Sequence, residues 1–146
     1  MKVGFIGLGN VGGKLAESVL RNGFELTVRD LDPAKTEQFR SAGASVAHSP
    51  KEIAETCEII VTCLPSPSAS ASVMEDENGI LAGLSAGKVW IEMSTTDQQE
   101  VLRLGQKVKN LGALPADCPV SGGCHRAATA NIAIFAGCER AVFERV

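Results

Sequence analysis

Three glycines stand at Gly-x-Gly-x-x-Gly spacing in Gly7-Leu8-Gly9-Asn10-Val11-Gly12, directly behind the apolar run from Lys2 to Gly7. Each meets a different demand of pyrophosphate binding. Gly7 permits the tight turn, Gly9 lets the backbone approach a phosphate closely, and Gly12 lets a helix pack on a strand. The helix that opens there turns free N–H groups and the positive end of its dipole towards the anion. Glycine loops also arise for turn geometry alone. The chemical reading rests on context, a strand before and a helix after. A second apolar run, Phe24 to Val28, leads to Asp30, about 20 residues beyond the motif, where an acid accepts hydrogen bonds from the adenosine ribose of a dinucleotide. A carboxylate there repels a 2′-phosphate, so NAD is expected over NADP. Arg29 is adjacent, but successive strand residues face opposite ways. Asp30 also reads as a solvated strand-end acid, and Asp32 competes with it or caps the next helix.

Hydroxyls and glycines recur further along. Ser94-Thr95 and Ser121-Gly122-Gly123 each follow an expected parallel strand, at the same sheet edge as Gly9, where hydroxyls and free N–H groups converge to hold a carboxylate. Ser94 reads equally as a helix cap, and Ser121-Gly122-Gly123 as a plain turn. Pro65-Ser66-Pro67-Ser68 sits at a strand's C-terminal end, either as a rigid connector or as a cofactor contact. His125 reads as a surface-loop residue or as a proton relay, and His48 as structural. Cys57, Cys63, Cys118, Cys124 and Cys138 form no CxxC pair, which leaves metal binding without support and favours reduced structural thiols.

These residues need a scaffold that brings strand ends together. Apolar runs at Lys2 to Gly7, Phe24 to Val28, Ser45 to Ala47, Glu58 to Leu64, Lys88 to Met93, Ala113 to Cys118 and Ile132 to Ala136 read as strands. Between them, helices begin at Val11, Asp32-Pro33, Ser49-Pro50, around Ser68, and at Thr96-Asp97 running to Asn110. Another opens at Glu139, carrying Ala141, Val142, Phe143 and Val146. Strands alternating with helices imply a parallel sheet, because parallel neighbours need a crossover. The expected fold is α/β, a Rossmann-type doubly wound, mostly parallel sheet, with residues 1–146 as one dinucleotide-binding domain. Fifteen glycines against only six aromatics suit a backbone-lined site.

Four motifs in this order carry a family resemblance: GFIGLGNVG at the start, TCLPS around Leu64-Pro65, IEMSTTD from Ile91 to Asp97, and DCPVSGG from Asp117 to Gly123. Along its whole length the chain resembles the β-hydroxyacid dehydrogenases of the 3-hydroxyisobutyrate type, whose dinucleotide domain is of the 6-phosphogluconate dehydrogenase kind. The resemblance implies that Gly7, Leu8, Gly9, Asn10, Val11 and Gly12 cradle the pyrophosphate of NAD. Leu64 and Pro65 lie along the nicotinamide-side ribose, Ser94 and Thr95 approach the nicotinamide, and Ser121, Gly122 and Gly123 shape the substrate pocket. It further implies hydride transfer between the nicotinamide and a small 3-hydroxy acid. Glyoxylate, succinic semialdehyde or tartronate semialdehyde reduction and a non-catalytic dehydrogenase-like binding module are the alternatives.

Family members commonly carry Met at Val11 and Gly at both Ala130 and Cys138, and the Cys124-His125-Arg126 stretch is bulkier than usual. The family's catalytic lysine lies in an all-helical domain beyond Val146. No catalytic residue is therefore expected within this chain, which alone should be inactive, and the full-length protein is expected to be a homo-oligomer. A net charge of −3 without a Lys/Arg run argues against nucleic acid as a partner. The short apolar start argues against a signal peptide or membrane span and for a cytoplasmic protein.

Overall fold

The computed structural model describes all residues from Met1 to Val146. Six strands form one parallel sheet: β1 (Lys2–Ile6), β2 (Glu25–Arg29), β3 (Ser45–Val46), β4 (Ile59–Thr62), β5 (Val89–Glu92) and β6 (Leu114–Asp117). Their order is β3-β2-β1-β4-β5-β6, so the chain winds outward from β1, returns, and winds outward the other way. The reversal falls between β1 and β4, and ligands of doubly wound sheets bind in the crevice it opens. β1 lies between its two neighbours, with Phe5 beside Val28 on one side and Val61 on the other.

Alternation along each strand builds two cores. Val3, Phe5, Val28, Val61 and Val89 face one layer, with Leu15 and Ala16 of α1 (Gly12–Arg21) and Phe39 of α2 (Pro33–Ser41). Ile60 and Trp90 face the other, against α3 (Pro50–Thr56), α4 (Pro67–Glu75), α5 (Ile80–Gly83) and α6 (Gln98–Asn110). Strands covered on both faces are mostly apolar, and β4 reads IIVT, with Thr62 as its one polar residue, also buried.

Four of the eight helices start where short polar side chains satisfy free amides. Asp32, Ser49, Ser66 and Asp97 each accept from an N–H in the first turn, and proline opens α2, α3 and α4. On the surface, Glu75 of α4 pairs with Arg103 and Lys107 of α6, whose hydrogen bonds lower its carboxyl to about 2. No helix is long and apolar enough to cross a membrane.

Beyond β6 the structure departs from expectation. The run Ile132 to Ala136 contributes only β8 (Ala133–Ile134), which pairs antiparallel with β7 (Val120–Ser121) in a separate two-stranded sheet. The intervening chain is used by a turn and the short helix α7 (Gly123–Ala128). A parallel seventh strand would need a full crossover. Ala130 is the only non-glycine residue with positive φ, 56°. The family resemblance implies Gly here, which adopts this conformation without the cost of a Cβ. The last helix, α8 (Arg140–Phe143), buries Val142 against the first core, while Phe143 and Val146 remain exposed. The short α5 had no counterpart in the sequence pattern, since four residues cannot show a helical period.

Candidate functional site

A cleft of about 730 Å³ opens at the C-terminal ends of β1, β2 and β4. Its floor is the turn after β1. Gly7 takes φ of 95°, and a Cβ there would meet the Cys63 carbonyl oxygen at 2.3 Å, so both conformation and space demand glycine. A Cβ on Gly9 would meet nothing within 4 Å; this glycine faces open cleft. The amides of Gly9, Asn10, Val11 and Gly12 donate to no acceptor in the chain. Four free N–H groups at a helix start, beside open space, form an anion cradle. Leu8 differs from its neighbours, because its side chain is 4% exposed and packs in the core.

Asp30 closes one end. Its Oδ2 accepts the Leu8 N–H at 2.6 Å and its Oδ1 the Asp32 N–H at 2.9 Å, so the carboxylate fixes the glycine loop as well as facing the cleft. Each oxygen retains a lone pair for a further donor. Asp32 caps α2 by accepting the Ala34 N–H. Arg29 corrects the sequence reading, since it lines the cleft together with Asp30. β2 ends at Arg29, so strand alternation no longer separates the two side chains. Its Nε is buried without a hydrogen-bond partner, and Lys35 Nζ stands 4.0 Å from Asp30 Oδ1.

Leu64 and Pro65 line the opposite end. The wall beside them was not legible beforehand: Ala69, Ser72 and Val73 of α4, then Asp76, Asn78 and Gly79. Its one sequence signal is the run of small residues in α4, PSASAS, which admits close approach. Cys63, also on the cleft, has its thiol pushed up to about 11 by burial and by the Glu92 carboxylate, which keeps it protonated and unreactive.

Ser94 and Thr95 do not line the cleft. Ser94 is 4% exposed, and its Oγ accepts the Leu64 N–H at 2.7 Å. It does not cap α6, which Asp97 does. Thr95 is exposed. Ser121, Gly122 and Gly123 also lie off the cleft, in β7 and the start of α7, with φ of 132° and 77° at the two glycines. His125 is exposed on α7. A second groove of about 580 Å³ lies between α6, β6 and the start of α8 and carries no glycine loop.

Sheet order, switch-point crevice, glycine cradle and strand-end acid together define a dinucleotide-binding domain of the doubly wound class. The family model described as the NAD binding domain of 6-phosphogluconate dehydrogenase matches residues 2–146, and the chain belongs to that family. It is 38% identical over 135 residues to mitochondrial 3-hydroxyisobutyrate dehydrogenase of Mus musculus, covering 92% of this chain and 40% of that protein. It is 35% identical over 144 residues to glyoxylate/succinic semialdehyde reductase 1 of Arabidopsis thaliana, covering 99% and 50%. Among solved structures, 3-hydroxyisobutyrate dehydrogenase of Mycobacterium tuberculosis superposes with a TM-score of 0.92 at 25% identity, covering 99% of this chain and 48% of that one. The chain thus spans half or less of the length of these relatives.

Proposed function

We propose that this chain binds NAD across the cleft and serves as the cofactor-binding part of an oxidoreductase that acts on a small 3-hydroxy acid. The observation that carries the reading is the set of four unpaired amides from Gly9 to Gly12 on the cleft, with open space at Gly9 and the Asp30 carboxylate on the same cleft. The cradle receives the pyrophosphate, and Asp30 receives the adenosine ribose hydroxyls. Leu64 and Pro65 then flank the nicotinamide half. The bound nicotinamide would accept or supply the hydride, while the protein contributes placement and electrostatics. Ser121, Gly122 and Gly123 belong in this reading to the substrate's carboxylate.

Oxidation of an alcohol needs a base within hydrogen-bond reach of the hydroxyl. The lysine on the cleft, Lys35, stands at the adenosine end beside Asp30, and His125 lies off the cleft. In this reading the base is the lysine that the family resemblance implies, outside these residues, so binding should separate from turnover. Calorimetry should show NADH binding to the chain. Incubation with 3-hydroxyisobutyrate and NAD should produce no sustained rise in NADH absorbance. Sustained turnover would place the base within these residues, and His125 would be the first candidate.

Cofactor choice in this proposal rests on Asp30. Asp30→Ala removes the carboxylate that opposes a 2′-phosphate and leaves the cations Arg29 and Lys35 at the same rim. Overall affinity should fall, because the Leu8 amide loses its acceptor, and the NADH and NADPH dissociation constants should converge. A ratio equal to the parent's would assign discrimination to another residue.

A further inference from the structure

Glu92 is the last residue of β5 and is 0% exposed, yet it carries a carboxyl on the core-facing side of the sheet beside Trp90. No salt bridge reaches it. Its partners are hydroxyls and one amide: Oε1 accepts the Ser94 N–H at 2.9 Å and the Ser94 hydroxyl at 2.5 Å, and Oε2 accepts the Ser70 hydroxyl at 3.1 Å. Burial raises its affinity for a proton, while the hydrogen bonds from Ser94 and Ser70 oppose that rise. A buried acid without a counter-ion is costly and persists only where its acceptors are used.

Those acceptors join three pieces of the cleft. Ser94 belongs to the loop after β5, and its hydroxyl, held by Glu92, accepts the Leu64 N–H in the loop after β4. Ser70 belongs to α4, which supplies Ala69, Ser72 and Val73 to the cleft wall. The β1-β2-β3 half with Asp30 takes the adenosine side of a dinucleotide, so the β4 and β5 ends take the other nucleotide.

We propose that Glu92 is a positioning residue: by holding Ser94 and Ser70, it sets Leu64-Pro65 and α4 where the nicotinamide half of the cofactor docks. The proposal rests on the dinucleotide reading above. Glu92 touches no ligand itself, since it is fully buried and off the cleft. A carboxylate suits the task because it offers two acceptor oxygens with several lone pairs to three donors at once. Glutamine keeps one oxygen for Ser94 and turns an amide towards Ser70, whose hydroxyl then accepts.

The test compares NADH with ADP-ribose, which lacks the nicotinamide, by calorimetry on the whole chain. Amide hydrogen exchange at Leu64 and at Ile60 is followed alongside. Glu92→Ala should weaken NADH binding roughly tenfold while ADP-ribose stays within about twofold, the scale of one lost buried hydrogen bond. The Leu64 amide should exchange about tenfold faster with Ile60 unchanged, since opening is local. Glu92→Gln should restore both readouts. If Glu92→Ala does not fold, Ser94→Ala carries the same expectation, because it deletes only the hydroxyl between Glu92 and Leu64. Equal losses for the two ligands, or no loss for either, would overturn the positioning role. A parent chain that binds neither ligand would instead overturn the dinucleotide reading, and this role with it.

Discussion

Gly9→Asp should abolish NADH binding and leave the fold intact. A Cβ on Gly9 meets no atom within 4 Å, so the substitution forces no rearrangement of the chain. Its carboxylate would enter the space in front of the free amides of Asn10, Val11 and Gly12. There it would occupy the anion position and repel the pyrophosphate. Two unit charges about 4 Å apart near a protein surface repel by about 4 kcal/mol. That corresponds to a loss on the order of a thousandfold in affinity. The melting temperature should stay within about 3 °C of the parent, as for a surface substitution below about 0.5 kcal/mol. Calorimetry with NADH decides the point: a folded Gly9→Asp chain that binds as tightly as the parent would remove the glycine loop from the site.

Gly12→Ala should do the opposite and damage the fold first. Gly12 is buried, and its Cβ would stand 2.1 Å from the Gly7 carbonyl oxygen and 3.2 Å from Cys63 Cβ. The first obstacle is backbone and cannot swing aside, so α1 must move off β1 or the turn must open. Overpacking a closed site costs about 1–3 kcal/mol and more where backbone must move, so roughly 3 kcal/mol is expected. At about 2–4 °C per kcal/mol for a domain of this size, the melting temperature should fall by about 10 °C. NADH affinity should fall with it, because the cradle is carried by the displaced helix start. Thermal unfolding followed by circular dichroism gives the answer, and a Gly12→Ala chain as stable as the parent would mean that helix and turn are not in the contact described. The two glycines, three residues apart, thus separate what binding needs from what packing needs.

Much of this site could be read from residues close together in the chain. The Gly7 to Gly12 loop is local chemistry, and a strand, a turn and a helix start follow from neighbouring residues. The caps Asp32, Ser49 and Asp97 act over two or three positions, and the structure keeps them in that role. Asp30 was reachable through spacing, because one βαβ unit has a nearly constant length. The alternation of strands and helices was enough for a parallel doubly wound sheet, since parallel neighbours require crossovers.

What stayed hidden depends on partners far along the chain. Ser94 could be read as a cap or as a ligand-facing hydroxyl; Asp97 takes the cap, and the Ser94 hydroxyl is engaged by Leu64 and Glu92, which lie against it in space. Glu92 left one faint trace, a lone acid in the apolar stretch VWIEM, and its partner Ser70 is 22 residues away. Arg29 joined Asp30 on the cleft because β2 stops one residue before the alternation rule would part them. The α4 wall and the antiparallel pairing of Val120–Ser121 with Ala133–Ile134 likewise came from packing. The sequence by itself determined the glycine cradle, the helix starts and the sheet's winding, because those follow from short-range geometry and hydrophobic period. Only the tertiary structure decided which polar groups are buried together, because a hydrogen bond between distant segments depends on where each strand ends, and no local pattern records that.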